Sequence, residues 1–230
     1  MSGGADGAVT RRGFVAAGVV CAATVALGGA GLAARQAHAV ELRPPGSDGE
    51  VDLAARCNRC QKCVQACPYG IIQPLPLSLS VMNVGTPALS FKTGYCDFCM
   101  KCVEACPTGA LRAGTSTYDD IGVAKVVSDA CVAWHWAGCT VCVDECPVEG
   151  AISLDDLGRP TVDERLCDGC GRCEQMCPAS SLRSYDASVA AKGIYVVPRS
   201  SAAARRAGAL TTAELGELRG VEAGEEALHA

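Results

Sequence analysis

The sequence predicts an α+β fold in which short β-ribbons and short helices are held together by bound metal rather than by a large apolar core. The hydrophobic fraction is 49%, yet the 230 residues include only 3 Phe and 2 Trp. There are also 17 cysteines, most of which recur at regular spacing. A chain with so few core-forming side chains commonly uses metals or disulfides for stability.

Composition and charge exclude several classes of protein. A net charge of −5 without a basic run argues against nucleic-acid binding. The scarcity of large apolar residues argues against an enzyme with a large core, a coiled coil or a polytopic membrane protein. The sequence contains no Walker loop, dinucleotide-binding fingerprint or Ser/His/Asp set, so we predict no catalytic residue.

Residues 1–39 are typical of a twin-arginine (Tat) signal peptide. Arg11 and Arg12 precede an uncharged segment rich in Gly and Ala, and Ala37-His38-Ala39 predicts cleavage after Ala39. The alternative is an uncleaved segment that associates the protein with the membrane, because its length suffices to span a bilayer. We expect an exported protein, periplasmic or at the outer face of the cytoplasmic membrane.

Three segments follow the predicted signal. Residues 40–56 form a lead-in segment, in which Ser47 and Glu50 have the spacing of a capping box for a short helix. Residues 57–185 contain the regularly spaced cysteines. Residues 186–230 form an Ala/Glu-rich C-terminal tail, for which a partly helical structure is the alternative to disorder.

The regularly spaced cysteines form four quartets, each followed by a proline. They are Cys57, Cys60, Cys63 and Cys67; Cys96, Cys99, Cys102 and Cys106; Cys131, Cys139, Cys142 and Cys146; and Cys167, Cys170, Cys173 and Cys177. Quartets one, two and four have the pattern C-x2-C-x2-C-x3-C-P, whereas the third has its first cysteine farther upstream. The remaining cysteine, Cys21, lies in the predicted signal.

This spacing is typical of bacterial two-cluster ferredoxins. Three thiolates of one loop bind one [4Fe–4S] cluster, and the fourth cysteine binds the neighbouring cluster. We therefore predict tandem bacterial-ferredoxin-like modules with four [4Fe–4S] clusters and the sixteen quartet cysteines as ligands. The quartets should form two pairs, and the spacing permits two arrangements. Either quartet one pairs with quartet two and quartet three with quartet four, or quartet one pairs with quartet four and quartet two with quartet three.

Two other uses of these cysteines are less consistent with the spacing. A structural zinc site normally combines two distant C-x2-4-C pairs, and it requires neither the third cysteine nor the Cys-Pro. Disulfides are common in exported proteins. However, the Tat pathway carries proteins that are already folded with their cofactors, which suits a cluster protein assembled in the reducing cytoplasm.

Two further features surround the quartets. Trp134-His135-Trp136 lies inside the widened third quartet, where the tryptophans could cover the enlarged loop or form a docking surface. Basic residues near the ligands could form a solvated face, offset cluster charge or dock an acidic partner. They are Arg56, Arg59, Lys62, Lys101 and Arg172.

Several of these motifs together resemble the NapG/MauM family of exported ferredoxin-type proteins. They are the twin arginine, Arg43-Pro44-Pro45-Gly46, Gly85-Thr86-Pro87, Cys106-Pro107-Thr108-Gly109-Ala110-Leu111 and the Trp-containing third quartet. The resemblance covers roughly residues 10–185, and the tail after Tyr185 departs from it.

The resemblance implies an electron-transfer protein of anaerobic respiration rather than an enzyme. Its donor would be a membrane-bound quinol-oxidising iron–sulfur protein. Its acceptor would be a c-type cytochrome or a molybdopterin reductase, with periplasmic nitrate reductase as the familiar terminal enzyme. The resemblance also implies nested pairing of the quartets, one with four and two with three.

Two other functions are consistent with the motifs. The first is the four-cluster electron-transfer (beta) subunit of a molybdopterin oxidoreductase; many such subunits lack their own signal. The second, from a different class, is a non-redox metal-binding or maturation factor, which would contain zinc or substoichiometric iron.

Overall fold

The computed structural model describes most of the chain after the predicted signal. The described residues are 41–77, 83–113, 121–136, 138–182, 192–199 and 208–214. Arg11, Arg12, Cys21 and the cleavage site at Ala39 lie outside them, whereas all sixteen quartet cysteines lie within. No helix in these described ranges is long and apolar enough to cross a membrane.

Regular structure is confined to short helices and short strands. The helices are α1 (Gly49–Arg56), α2 (Lys62–Ala66), α3 (Lys101–Glu104), α4 (Val132–His135), α5 (Val141–Asp144), α6 (Arg172–Met176) and α7 (Ala179–Leu182). The strands are β1 (Ile72–Pro74), β2 (Pro87–Leu89), β3 (Val123–Val126), β4 (Ile152–Leu154), β5 (Pro160–Val162) and β6 (Ile194–Val197). Helices α2, α3, α5 and α6 lie inside cysteine loops, and the proline after each quartet prevents their continuation.

The strands form antiparallel two-stranded ribbons. β1 pairs with β2, β4 with β5, and β3 with β6. The first ribbon lies between quartets one and two, and the β4–β5 ribbon lies between quartets three and four. Each of these ribbons reverses the chain, so that α2 packs against α3 and α5 packs against α6.

The chain forms two modules, each with a small core. The first module contains quartets one and two, and Leu53, Ile71 and Phe91 are almost completely buried in its core. The second contains quartets three and four, and its core includes Val127 and Leu210. Cysteine side chains belong to both cores. The cysteine-lined regions thus replace part of the apolar interior.

The second module is completed by residues from the segment expected to be a C-terminal tail. β6 pairs with β3, with Val123 opposite Val197, and the buried Leu210 packs in the same core. Thr211 and Glu214 cap a following helical turn, since each accepts a hydrogen bond from the backbone N–H of the other. Part of the segment after residue 185 is therefore an integral part of the second module.

A buried ion pair fastens the lead-in segment to the first module. Arg43 is only 7% exposed. Its guanidinium donates to both carboxylate oxygens of Glu50, to the Thr86 hydroxyl (3.1 Å) and to the Pro87 carbonyl (2.8 Å). Helix α1 forms as expected, but Glu50 binds Arg43 and the predicted capping box with Ser47 does not form.

Replacing Glu50 with alanine is expected to lower the free energy of unfolding by about 1–3 kcal/mol, because the Arg43 charge stays buried without its anionic partner. Chemical denaturation of anaerobically purified protein, followed by circular dichroism, measures this change. The control is Arg165→Ala, which breaks an ion pair at a side chain that is 90% exposed. It should change stability by less than about 0.5 kcal/mol, and equal losses in the two variants would contradict the prediction.

Candidate metal centres

Left-handed backbone conformations shape three of the four cysteine loops. Positive φ angles occur at equivalent positions of quartets one, two and four: at Arg59 and Gln61, at Phe98 and Met100, and at Gly169 and Gly171. For a residue other than glycine this conformation costs roughly 1–2 kcal/mol. It persists where the surrounding structure compensates for the cost, which is common at functional sites.

An Asn or Asp side chain stabilises each of the same three loops. Asn58, Asp97 and Asp168 directly follow the first cysteine of their quartets. Each accepts a hydrogen bond from the backbone N–H of the second cysteine, at 3.3, 3.1 and 3.0 Å respectively. The sequence-based prediction missed these residues. Their recurrence at one position of three quartets is nevertheless the signal of an Asx turn.

The first module contains two recesses that are lined by four cysteines each. Recess A, of about 400 Å³ counted to its open mouth, contains Cys57, Cys60, Cys63 and Cys106. Recess B, of about 310 Å³, contains Cys67, Cys96, Cys99 and Cys102. The fourth cysteine of each quartet therefore joins the first three cysteines of the other quartet.

The second module repeats this exchange. Recess C, of about 290 Å³, contains Cys146, Cys167, Cys170 and Cys173. Recess D, of about 340 Å³, contains Cys131, Cys139, Cys142 and Cys177. The structure thus pairs quartet one with two and three with four, in contrast to the nested pairing that the resemblance implies. The physical reason is the ribbon between the members of each pair, which returns the chain within one module.

The recesses fit the chemistry of iron–sulfur clusters. The sixteen cysteines are free of disulfides. Among the residues that the structure describes, no three His, Cys, Asp or Glu side chains converge closely enough for a single metal ion. A zinc site would place its sulfur ligands about 2.3 Å from one ion. Four thiols around a wider recess suit a cluster whose irons are each bound by a different thiolate.

Backbone N–H groups donate hydrogen bonds to cysteine sulfurs in all four recesses. The sulfur acceptors include Cys57 and Cys106 in recess A, Cys96 in recess B, Cys167 in recess C and Cys177 in recess D, at 3.2–3.4 Å. Such bonds favour the thiolate form, and hydrogen bonds to sulfur help to set the reduction potential of a bound cluster.

In nine of the sixteen cysteines, burial raises the pKa of the thiol and so opposes the thiolate form. It is the main cause of thiol pKa values that reach about 11 at Cys63 and Cys102 and about 12 at Cys96, Cys142 and Cys170. At Cys106, burial also raises the pKa, but hydrogen bonds from Leu111 N–H and Thr108 outweigh it and the pKa is lowered. Because ligation requires thiolates, a positively charged metal centre would have to stabilise the buried ones.

The widened third quartet places its two tryptophans differently. Trp134 packs against the core of the second module, and the Arg159 guanidinium lies 4.7 Å from its ring centroid. Trp136 is 49% exposed. His135 Nε2 lies 2.9 Å from the Asp129 carbonyl oxygen, and His135 does not line recess D. Trp134 therefore packs within the second module, while Trp136 lies at the surface.

Comparison with family models identifies cluster-binding domains in both modules. One model of a 4Fe-4S dicluster domain matches residues 56–111. A second model with the same description matches residues 95–149 and 137–181. The first match coincides with recesses A and B, and the match to 137–181 contains most of the cysteines of recesses C and D.

Comparison with curated proteins finds relatives that align over most of their length. The methylamine utilization ferredoxin-type protein MauM of Paracoccus denitrificans is 40% identical over 190 residues, which are 74% of this chain and 83% of the relative. The MauM of Methylorubrum extorquens is 38% identical, over 72% of this chain and 81% of the relative. The ferredoxin-type protein NapG of Escherichia coli is 37% identical, over 70% of this chain and 76% of the relative.

The pairing of the quartets can be tested by replacing a cysteine that crosses between them. Cys106→Ser should destabilise the centre in recess A and make its three remaining thiols reactive toward an alkylating reagent under anaerobic conditions. Those thiols are Cys57, Cys60 and Cys63. Mass spectrometry of the alkylated peptides gives the measurement.

The matched control is Cys67→Ser, which should expose the other three cysteines of recess B instead. These are Cys96, Cys99 and Cys102. If the Cys106 variant mainly released thiols of the third quartet, the nested pairing would be correct and the arrangement described here wrong.

Proposed function

Because the chain belongs to the family of the MauM and NapG ferredoxin-type proteins, we propose that it is an exported protein that relays single electrons through four [4Fe–4S] clusters. The observation that carries this proposal is the distribution of the sixteen quartet cysteines over four recesses, with four in each. The 4Fe-4S dicluster domains support the cofactor class, and the four recesses support the number of clusters that we propose.

The four recesses would each hold one cluster, with the four cysteines of each recess as its ligands. A bound [4Fe–4S] cluster supplies reversible one-electron chemistry. The chain's own contribution is to hold the thiols, to donate backbone N–H bonds to sulfur and to limit access of water. We propose no substrate site, which agrees with relatives that are named as ferredoxin-type proteins.

Export through the Tat pathway places this relay at the periplasm or at the outer face of the cytoplasmic membrane. The proposal is supported by Arg11, Arg12 and the Ala37-His38-Ala39 site. Because Tat substrates cross the membrane folded, the clusters would be inserted in the cytoplasm.

The likeness to NapG favours a nitrate reductase-type system as the destination of the electrons. In that system, a membrane-bound quinol-oxidising iron–sulfur protein would be the donor, and a c-type cytochrome or a molybdopterin reductase would be the acceptor. The name of the MauM relatives, methylamine utilization ferredoxin-type protein, favours a second candidate, a redox chain that serves methylamine utilization. Both assignments require the same carrier chemistry.

Anaerobically purified protein is expected to contain about 16 iron and about 16 acid-labile sulfide per chain. Dithionite reduction should produce EPR signals of reduced clusters that interact magnetically. Zinc, or substoichiometric iron in protein purified without oxygen, would contradict the proposal and favour a metal-binding or maturation factor.

Replacing Arg11 and Arg12 together with lysine is expected to abolish export, because the twin arginine is the feature that identifies a Tat substrate. Cell fractionation should then find the cluster-loaded protein in the cytoplasm. Arg205→Lys with Arg206→Lys is the matched control, since it changes the same residue pair far from the signal. Unimpaired export of the Arg11/Arg12 variant would refute the proposed route.

A further inference from the structure

The two modules meet at a contact between the second and fourth quartets. Cys96, a residue of recess B, donates its backbone N–H to the carbonyl oxygen of Cys170, a residue of recess C, at 2.8 Å. The cysteine side chains of two recesses in different modules are thus separated by a few covalent bonds and one hydrogen bond. We call this contact, with the residues that flank it, the junction.

Close packing beside this hydrogen bond leaves no space for an additional side chain. A Cβ at Gly171 would collide with the ring of the buried Phe91, and the φ of Gly171 is +80°. A Cβ at Gly169 would lie 2.5 Å from the backbone nitrogen of Gly122. The loop of quartet four therefore packs with its backbone, rather than with side chains, against the neighbouring segments.

A charged and aromatic cluster closes the junction at the protein surface. The Arg172 guanidinium lies 5.0 Å from the ring centroid of Tyr95, which belongs to the first module. The same guanidinium donates two hydrogen bonds to Glu145 of the second module, at 3.0 and 2.9 Å. The Tyr95 ring stacks on Tyr69, whose hydroxyl donates to Asp97 at 3.0 Å. Arg172 thus links the helix after Cys170 to the residue before Cys96.

The other two recesses do not take part in this contact. Neither Cys96 nor Cys170 is among the residues that line recess A or recess D. Within each module, the crossing cysteines link A to B and C to D. The order of the recesses is consequently A, B, C and D, which corresponds to quartets one, two, four and three.

Exposure of the cysteines is lowest in recess C. Cys60 in recess A and Cys99 in recess B are exposed, whereas Cys167, Cys170 and Cys173 in recess C are all buried. In recess D, Cys139 is only partly buried, and the half-exposed Trp136 lies in the same widened loop. Recess C is therefore suited to an internal position, whereas recesses A and D are the ends of the series because neither takes part in the contact between the modules.

We propose that Arg172 and Tyr95 are positioning residues that hold recess B against recess C, so that electrons cross between the modules at the Cys96–Cys170 contact and enter or leave the chain at recesses A and D. This inference rests on the proposed four-cluster relay. One electron passes from the reduced centre of one module to the oxidised centre of the other, and no bond is formed or broken in that step.

Two single variants test the junction in the full-length, cluster-loaded protein. Arg172→Leu removes the guanidinium, and Tyr95→Leu removes the ring without changing any charge. Both should make hydrogen exchange of the Cys96 amide about 5- to 30-fold faster, since the loss of a cation–π contact makes local opening easier. Both should also slow electron transfer between the modules after rapid reduction, with full iron content and unchanged cluster potentials.

Two controls separate positioning from other effects. Tyr95→Phe keeps the ring face and should behave as the parent protein in both measurements. Arg165→Leu removes an arginine of the second module that pairs with Asp163 beside it, and should leave the Cys96 amide unaffected. The Arg172/Tyr95 double variant should resemble either single variant, because the two residues act through one contact.

The inference would be overturned if both leucine variants had full iron content and showed unchanged hydrogen exchange of the Cys96 amide and unchanged electron transfer between the modules. An effect confined to Arg172→Leu that was accompanied by a shifted cluster potential would also overturn it, because the arginine charge rather than its positioning would then be responsible. Failure of the four-cluster proposal gives a different result, in which the parent protein itself contains far less than about 16 iron.

Discussion

The structure depends on one constraint: four thiols from two separate loops must converge on one recess. Three cysteines in a tight loop define most of a recess, but the fourth comes from the loop of the partner quartet. This exchange happens in both directions within each module, so that neither recess can form without the other. The short helices, the ribbons and the modest apolar cores can be understood as the minimum required to bring two such loops together.

Within this constraint, the sequence predicts the cysteine loops well, but it predicts poorly which two quartets pair with each other. The repeated C-x2-C-x2-C-x3-C-P pattern predicts short helices, exchanged fourth cysteines and cluster-binding modules, and the dicluster domain matches agree with these features. Pairing depends on how the chain between quartets folds, and spacing alone does not define it. The β1–β2 and β4–β5 ribbons decide it, and each consists of only three-residue strands.

Long-range contacts account for other features that local patterns do not predict. β6 follows a segment with few large apolar residues. Its partner β3 is distant in sequence, and valines of both strands are buried. Glu50 has the spacing of a capping residue, but the buried Arg43 guanidinium offers a stronger electrostatic partner than a backbone N–H. The Asx residues at Asn58, Asp97 and Asp168, in contrast, are local features and could have been predicted from their repeated position.

The distribution of glycine among the quartets corresponds to how closely the backbone of each loop packs against neighbouring segments. Quartets one and two adopt left-handed conformations with Arg59, Gln61, Phe98 and Met100, and therefore accept a local conformational cost. Their side chains can be accommodated because these loops lie nearer to solvent; Cys60 and Cys99 are exposed. Quartet four adopts the same conformations with Gly169 and Gly171, where backbone and ring atoms of neighbouring segments occupy the positions of any Cβ. Glycine in this loop thus removes the conformational cost and also permits the close approach of the second module to the first. Quartets one, two and four share these backbone conformations, and the two glycines distinguish the loop of quartet four, whose backbone packs against Phe91 and Gly122.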